Sequence, residues 1–289
     1  MRSELINVNH SGDKSIHIKH IDNNRLISSF HFHDLCELVW IERSQGKRIV
    51  GDHIGNFEDD DLVLMGPNLP HIWQNDKRYD DHDDETVKSV VVYFSADFFA
   101  KLTNDQEVLL QVADLASRAA RGMVFDKETT NKVKPILLSL ANNDGFDNII
   151  SVVEIIKILA RSKHYRYLSS ATFKNHYDEK DSTRINKVYQ FLMKNFHNDI
   201  HLNEVAELCN MTPNSFCRFF KMRAQKSLTQ FINEIRIGHA CKLLQVEDYS
   251  IADVCYASGF NNPTNFNKFF KAIKGMKPSE YRNQVKKLN

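Results

Sequence analysis

The sequence predicts an α+β chain of two domains. The N-terminal half is expected to close short strands into a small β-barrel or sandwich, followed by helices. The C-terminal part is expected to be all-helical, with two helix-turn-helix motifs joined by a long helix. Three observations carry this. A ten-residue stretch occurs twice, 50 residues apart. The charge changes sign along the chain. The first hundred residues break into short apolar runs between turn-forming clusters.

The repeat comprises Thr212-Pro213-Asn214-Ser215-Phe216-Cys217-Arg218-Phe219-Phe220-Lys221 and Asn262-Pro263-Thr264-Asn265-Phe266-Asn267-Lys268-Phe269-Phe270-Lys271. The two copies share the proline, three phenylalanines and the final lysine. Each opens with a polar residue and then proline, which suits N-cap and N1 of a helix. The aromatics recur at helical spacing. Each copy is preceded by a short apolar stripe: Leu202, Val205, Ala206 and Cys209 before the first, Ile251, Val254 and Cys255 before the second. Ser250 with Asp253 makes a capping-box signature. Asn210 and Gly259 tolerate the left-handed backbone of a sharp turn, and Met211 and Phe260 follow to plug the corner. Helix, tight turn, capped helix is a helix-turn-helix. One copy would fit any helical hairpin, whereas two matched copies point to DNA.

Net charge is +1, yet residues 1–180 carry a net −6 and residues 181–289 a net +7. A basic domain joined to an acidic one fits a nucleic-acid module coupled to something else. No apolar run is long enough to cross a membrane, and the first residues lack a signal-peptide core, so a cytoplasmic chain is expected. Five cysteines without metal-site spacing read as small buried or half-buried thiols. No phosphate loop, nucleophile elbow or zincin helix is present, and no enzyme is expected.

Cys36–Ile41, Arg48–Gly51, Asp61–Met65 and Val87–Phe94 read as strands. His31-x-His33-x-x-x-Glu37 enters the first, and Pro70-His71-x-x-x-Asn75 comes later. In a strand, residues 31, 33 and 37 share one face, and a second strand can bring His71 across. Three imidazoles and a carboxylate suit a divalent ion of the Zn, Fe, Ni or Mn kind. Equally, they suit polar residues held by hydrogen bonds at a barrel mouth. A small-molecule pocket lined by these residues with Trp40, Trp73, Phe57 and Tyr93 is the broader expectation, though each aromatic is first a candidate for the core.

Helical spacing follows over Ser95–Lys101, Asp105–Arg121, Asn131–Leu140 and Asn148–Arg161. The last is apolar over much of its circumference, which predicts burial on more than one side, including a homodimer contact. The sensor and dimerisation domain is thus placed at residues 1–165, with strands over about 1–94 and helices over about 95–165. A polar linker is expected over 166–183 and the DNA-binding domain over 184–289.

In that domain Ile185, Val188, Tyr189, Leu192 and Met193 predict a first amphipathic helix. Leu228–Leu244 predicts a connector about 25 Å long, able to hold two motifs about one DNA turn apart. Arg236 on it reads as a structural ion-pair residue. Phe216, Phe219, Phe220, Phe266, Phe269 and Phe270 are expected inside. Asn214, Cys217, Arg218 and Lys221 are left for solvent or DNA in the first recognition helix, and Thr264, Asn265, Asn267 and Lys268 in the second, with Lys271 and Lys274 farther along. Arg218 suits guanine, Asn265 or Asn267 suits adenine, and Lys268 suits guanine or phosphate.

Over residues 184–283 the sequence resembles the AraC/XylS family of transcription regulators. The resemblance rests on Ala206–Lys221, Phe231-x-x-x-x-Arg236-x-x-x-Ala240-x-x-Leu243-Leu244, Ser250-Ile251-x-x-Val254-Cys255, Gly259-Phe260, Phe266-x-x-Phe269-Phe270-Lys271 and Gly275-x-x-Pro278-x-x-Tyr281-Arg282. It implies two helix-turn-helix units in adjacent major-groove turns. It places base reading on Asn214, Cys217 and Arg218, and on Thr264, Asn265, Asn267 and Lys268. The chain departs from the family pattern at Gln225, where glycine is frequent, and at Cys255, where alanine is usual. Cys217 is a poor base reader, so the first unit is expected to discriminate through few contacts. The N-terminal half resembles the cupin-type sensor barrel of the same family, and His31, His33, Glu37, His71 and Asn75 resemble cupin metal motifs. The resemblance implies a small effector such as a sugar, often without a metal, and leaves His31, His33, Glu37, Trp40, His71 and Trp73 as the pocket candidates. It further implies a dimer through Asn148–Arg161, a contact with RNA polymerase and, more often than not, activation.

Two other readings fit the same residues. One is a metal-dependent cupin enzyme carrying a DNA-binding domain. The other is a ligand-independent DNA-binding protein whose barrel only dimerises.

Overall fold

A computed structural model describes residues 16–23, 26, 30–76, 86–95, 97–142, 144–175, 179–245 and 249–286. The acidic run Tyr79–Glu85, which in the sequence reads as a solvated loop, lies outside them. The chain divides into two compact units, 1–53 with 57–175 and 54–56 with 176–289.

In the first unit the strands are β1 Ile16–Asn23, β2 Cys36–Arg43, β3 Gly46–Val50, β4 His53–Phe57, β5 Leu62–Met65, β6 His71–Asn75, β7 Val87–Phe94, β8 Met123–Phe125 and β9 Tyr165–Tyr167, except that residues 54–56 of β4 belong to the second. The helices are α1 Asp97–Leu102, α2 Gln106–Ala119, α3 Lys127–Ser139 and α4 Gly145–Arg161. The expected cupin-like barrel does not form. Among the described residues the strands make two open sheets, ordered β1-β7-β2-β5-β8-β9 and β4-β3-β6, and neither closes on itself. The reason lies in β8 and β9, which come from stretches with no strand signal. They extend the large sheet beyond β5, so β1 and β9 end at opposite edges instead of meeting.

Side-chain alternation sorts the large sheet into two faces. Leu38, Trp40, Leu62, Leu64, Val90, Val92 and Met123 turn to one side, where α2, α3 and α4 cover them through Val112, Leu115, Val133, Leu137, Val152, Ile155, Ile156 and Leu159. Val39, Ile41, Val63, Met65, Val91, Tyr93 and Val124 turn to the other, against Val50, Phe57 and Trp73 of the small sheet. Glu37 has the parity of Val39 and so faces the space between the sheets.

Part of the expected linker belongs to this unit. Leu168 is buried in it, and the main-chain N–H groups of Leu168 and Ser169 donate to the carbonyls of Gly122 and Arg121. Ser169 Oγ donates to the Val50 carbonyl at 2.9 Å.

The second unit holds α5 Glu179–Asn195, α6 Leu202–Glu207, α7 Pro213–Ala224, α8 Leu228–Leu243, α9 Ile251–Ala257, α10 Pro263–Lys274 and α11 Pro278–Lys286. Ile185, Val188, Tyr189, Leu192 and Met193 are all buried. The connector α8 packs on α7, α9 and α10. It starts at a capping box of Ser227 and Gln230, which fixes its first turn.

Candidate functional sites: two reading helices and a histidine–glutamate cluster

In the first motif the turn after α6 falls on Asn210, whose φ is 54°. The Met211 N–H then donates back to the Ala206 carbonyl at 3.1 Å. Thr212 accepts from the Ser215 N–H and caps α7, with Pro213 at the first helical position. In the second motif the turn falls on Gly259, φ 85°, and the Phe260 N–H donates to the Cys255 carbonyl at 3.1 Å. Asn262 accepts from the Thr264 and Asn265 N–H groups to cap α10. The matched backbone bond and the matched cap set the same corner twice.

Phe216 and Phe220 of α7, and Phe266 and Phe270 of α10, are buried. Phe219 and Phe269, also expected inside, are only half-buried, because they sit at the edge of the apolar stripe. The opposite faces are exposed. On α7 these are Asn214, Cys217, Arg218 and Lys221. On α10 they are Thr264, Asn267, Lys268 and Lys271, with Asn265 beside them. Within each helix the offsets of 3, 4 and 7 put these residues on one stripe. All eight residues expected to meet DNA therefore reach solvent. Cys217 is exposed, unlike the other four cysteines. Arg236 is not an ion-pair residue in the expected sense. It donates to the carbonyls of Phe196 at 2.8 Å and Asn198 at 2.9 Å and stacks over Phe260 at 5.6 Å.

The second site lies between the sheets. The main chains of His31 and His71 exchange hydrogen bonds of 3.1 and 2.9 Å, so the second histidine arrives at the end of β6 opposite the first. His31, His33, Glu37 and His71 each bring one ligand atom within 4.8 Å of all the others. Glu37 Oε2 lies 2.8 Å from His33 Nε2 and 2.9 Å from His71 Nε2. Its side chain is 6% exposed. Burial by itself would raise the Glu37 carboxyl, but the charges and hydrogen bonds of His71 and His33 outweigh it and hold the group well below the usual carboxylate range.

The other ring nitrogens decide what this arrangement requires. His33 Nδ1 lies 3.0 Å from the Leu35 carbonyl and His71 Nδ1 lies 2.7 Å from the Leu69 carbonyl. A carbonyl oxygen only accepts, so each Nδ1 carries the hydrogen. In a neutral ring, Nε2 then turns a lone pair toward a carboxylate oxygen that is itself an acceptor. The contact needs either a proton on each Nε2 or a shared cation. Imidazoles supported by Nδ1–H to a carbonyl are well arranged as metal ligands, and three nitrogens with one carboxylate oxygen suit a divalent transition ion. The residues fit such an ion.

The remaining pocket candidates divide. Trp73 and Tyr93 join the cluster, with ring centres 5.6 Å from His71 and 5.4 Å from His33. Phe57 faces the same space. Trp40 does not join them. It lies in the helix-covered layer, because its parity is opposite to that of Glu37. Asn75 is also elsewhere, accepting from the Leu26 N–H at 2.6 Å and donating to Ser44 Oγ. Sequence reasoning missed Arg48, which is fully buried with one bond to Asp61. A lone arginine opening the run Arg48-Ile49-Val50 was the available signal.

A model described as "Helix-turn-helix domain" matches residues 205–284, so a helix-turn-helix DNA-binding domain occupies the end of the chain. The chain is 20% identical over 259 residues to the HTH-type transcriptional activator RhaS of Escherichia coli, covering 87% of this chain and 86% of that protein. Together these matches support a transcription regulator that binds DNA through its helix-turn-helix domain. Among solved structures, ToxT of Vibrio cholerae is similar at 16% identity over 94% of this chain and all of that one, with a TM-score of 0.37. A DNA-binding transcriptional dual regulator of Escherichia coli is similar at 24% identity over 41% of this chain and 99% of that one, with a TM-score of 0.33. No helix among the described residues is long and apolar enough to cross a membrane.

Proposed function

We propose that this regulator reads two successive major-groove turns with α7 and α10, and that a small ligand held at His31, His33, Glu37 and His71 controls it. The observation that carries the first part is the pair of exposed stripes at matching offsets, Asn214/Cys217/Arg218/Lys221 and Thr264/Asn267/Lys268/Lys271. Arg218 takes guanine O6 and N7, Asn267 or Asn265 takes adenine, and the lysines hold phosphates or guanine. The helix N-termini at Thr212 and Asn262 add N–H donors toward phosphate.

The second part is supported by the convergence of the cluster and by the lone-pair conflict that a cation relieves. His31, His33, Glu37 and His71 would hold a divalent ion, which supplies a Lewis-acidic point for an oxygen-bearing effector. Contact with RNA polymerase and activation belong to this reading, in keeping with the relative named an activator. A homodimer through α4 also belongs to it, since Phe146 and Ile150 of that helix are exposed.

The test is selection from random duplexes by the full-length protein at about 150 mM salt, where non-specific phosphate binding is weak. A motif of two blocks centred about 10 base pairs apart is the expected result. Repeating the binding with zinc, with manganese and with chelator tests the control. Occupancy indifferent to all three, and to His71→Ala, removes the cluster from the account.

A further inference from the structure

Among the described residues of this unit Arg48 is the one fully buried arginine, with no side-chain exposure. Its Nη1 donates to Asp61. Its Nε and Nη2 are buried and meet no acceptor among the described residues. Burial of unpaired N–H donors on a charged group is costly, and Arg48 is too deep to hydrate at the surface. Around it Arg166 adds a second positive charge, while Asp61, the direct counter-ion, and Glu58 add two negative ones. A buried oxyanion would accept charge-assisted hydrogen bonds from both unpaired donors.

The position is as informative as the chemistry. Arg48 pairs with Trp73 and Val50 pairs with His71 on adjacent strands. Arg48 and Val50 share a strand face, as do Trp73 and His71, so Arg48 opens on the same inter-sheet space as the cluster. Its backbone stands two residues along β3 from Val50, the strand partner of His71, about 7 Å, and its guanidinium turns to Asp61.

We propose that Arg48 is the anion-binding end of the effector site and that the effector is a small hydroxy or oxo acid. Its carboxylate lies on Nε and Nη2 of Arg48, and a second oxygen a few bonds away reaches the histidine–glutamate cluster. Asp61 holds the guanidinium through Nη1 and leaves Nε and Nη2 for the carboxylate. The proposal rests on the cluster being a ligand site only for the second oxygen. The carboxylate end stands on Arg48 alone.

The test uses the full-length protein without DNA. Its melting midpoint is measured with acetate, lactate and gluconate, each against a neutral counterpart (ethanol, propane-1,2-diol, sorbitol) at matched ionic strength. The acids are expected to raise the midpoint with the logarithm of concentration, and the alcohols are not. Arg48→Gln should abolish the difference. Asp61→Asn removes the competing negative charge, so it should tighten acid binding about tenfold, even if it lowers the midpoint without ligand. His71→Ala should keep the acetate effect and lose the added benefit of lactate and gluconate. If acetate persists and that benefit also survives, the cluster reading fails while Arg48 stands. If no acid outdoes its alcohol in wild type or Asp61→Asn, or if Arg48→Gln responds as wild type does, the proposal is wrong.

Discussion

The two helix-turn-helix units make the same shape from different residues. The first turns its corners on Asn210 and Gln225, both with left-handed backbone at φ 54° and 55°. The second uses Gly259 and Gly275 at φ 85° and 75°. The first core is closed by Tyr189 of α5, stacked on Phe231 with ring centres 4.9 Å apart and near Phe220 at 6.2 Å. The second is closed by Tyr281 of α11, edge-on to Phe270 at 5.6 Å. What recurs is the phenylalanine pair, the cap and the returning hydrogen bond, and these suffice to set the motif. What differs is how much each corner tolerates and what each face offers a base. The first stripe offers Cys217 where the second offers Asn267. A thiol is a weak hydrogen-bonding group and a carboxamide can bond adenine in pairs.

Emptying either core should have the largest effect. Phe216→Ala and Phe266→Ala are each expected to cost about 3–5 kcal/mol, read from chemical denaturation of the full chain. Equal losses would show that the phenylalanine pair matters alike in both units, whatever residue closes it.

The corners should then separate. A Cβ on Gly259 would fall 2.7 Å from the Phe196 carbonyl oxygen and 2.9 Å from His197 Cα, both main-chain atoms. A Cβ on Gly275 would meet nothing within 4 Å. Gly259→Ala is expected to cost about 3 kcal/mol, combining backbone strain with that clash. Gly275→Ala should cost about 1 kcal/mol from backbone conformation only. Similar losses would show that the close approach at Gly259 relaxes freely.

On DNA the expected effects are smaller and sharper. Arg218→Ala should lose about 1–3 kcal/mol on the selected site and relax the preference at one base pair, measured by competition with single-base variants. Lys268→Ala should weaken every sequence more evenly if it meets phosphate. A uniform loss from Arg218→Ala would move that residue to the phosphate group as well.

The smallest expected change is a gain. Gln225→Gly relieves a non-glycine residue at positive φ and should stabilise the domain by about 1 kcal/mol. No gain in the denaturation midpoint would mean that the Gln225 side chain makes a compensating contact.

The C-terminal unit was legible in the sequence because its signals are local. Caps, corner residues and apolar spacing all lie within about twenty residues of each other, and the repeat states them twice. The histidine cluster was half legible. The parity of His31, His33 and Glu37 could be read along one stretch, and His71 needed one pairing across the sheets. The barrel was misjudged because closure depends on which distant strands meet. Met123–Phe125 and Tyr165–Tyr167 are too short to show a period, yet they extend the sheet and leave it open. Trp40 was misplaced for a related reason. A strand buried on both faces shows no alternation of apolar and polar residues, so nothing in CELVWI says which side meets the helices. Arg48 was hidden because one charge in a short apolar run reads as an edge residue until its neighbours are known.

The central claim is that α8 holds two reading helices one DNA turn apart. The most direct measurement is the affinity of the full-length protein for its selected site with five base pairs inserted between the two blocks. Half a turn puts the blocks on opposite faces of the duplex. A rigid two-unit reader should then fall to the affinity of a site with one block scrambled, a loss of about a hundredfold or more. An inserted site bound as well as the original would contradict the account, because the two units would then be reading independently of the connector.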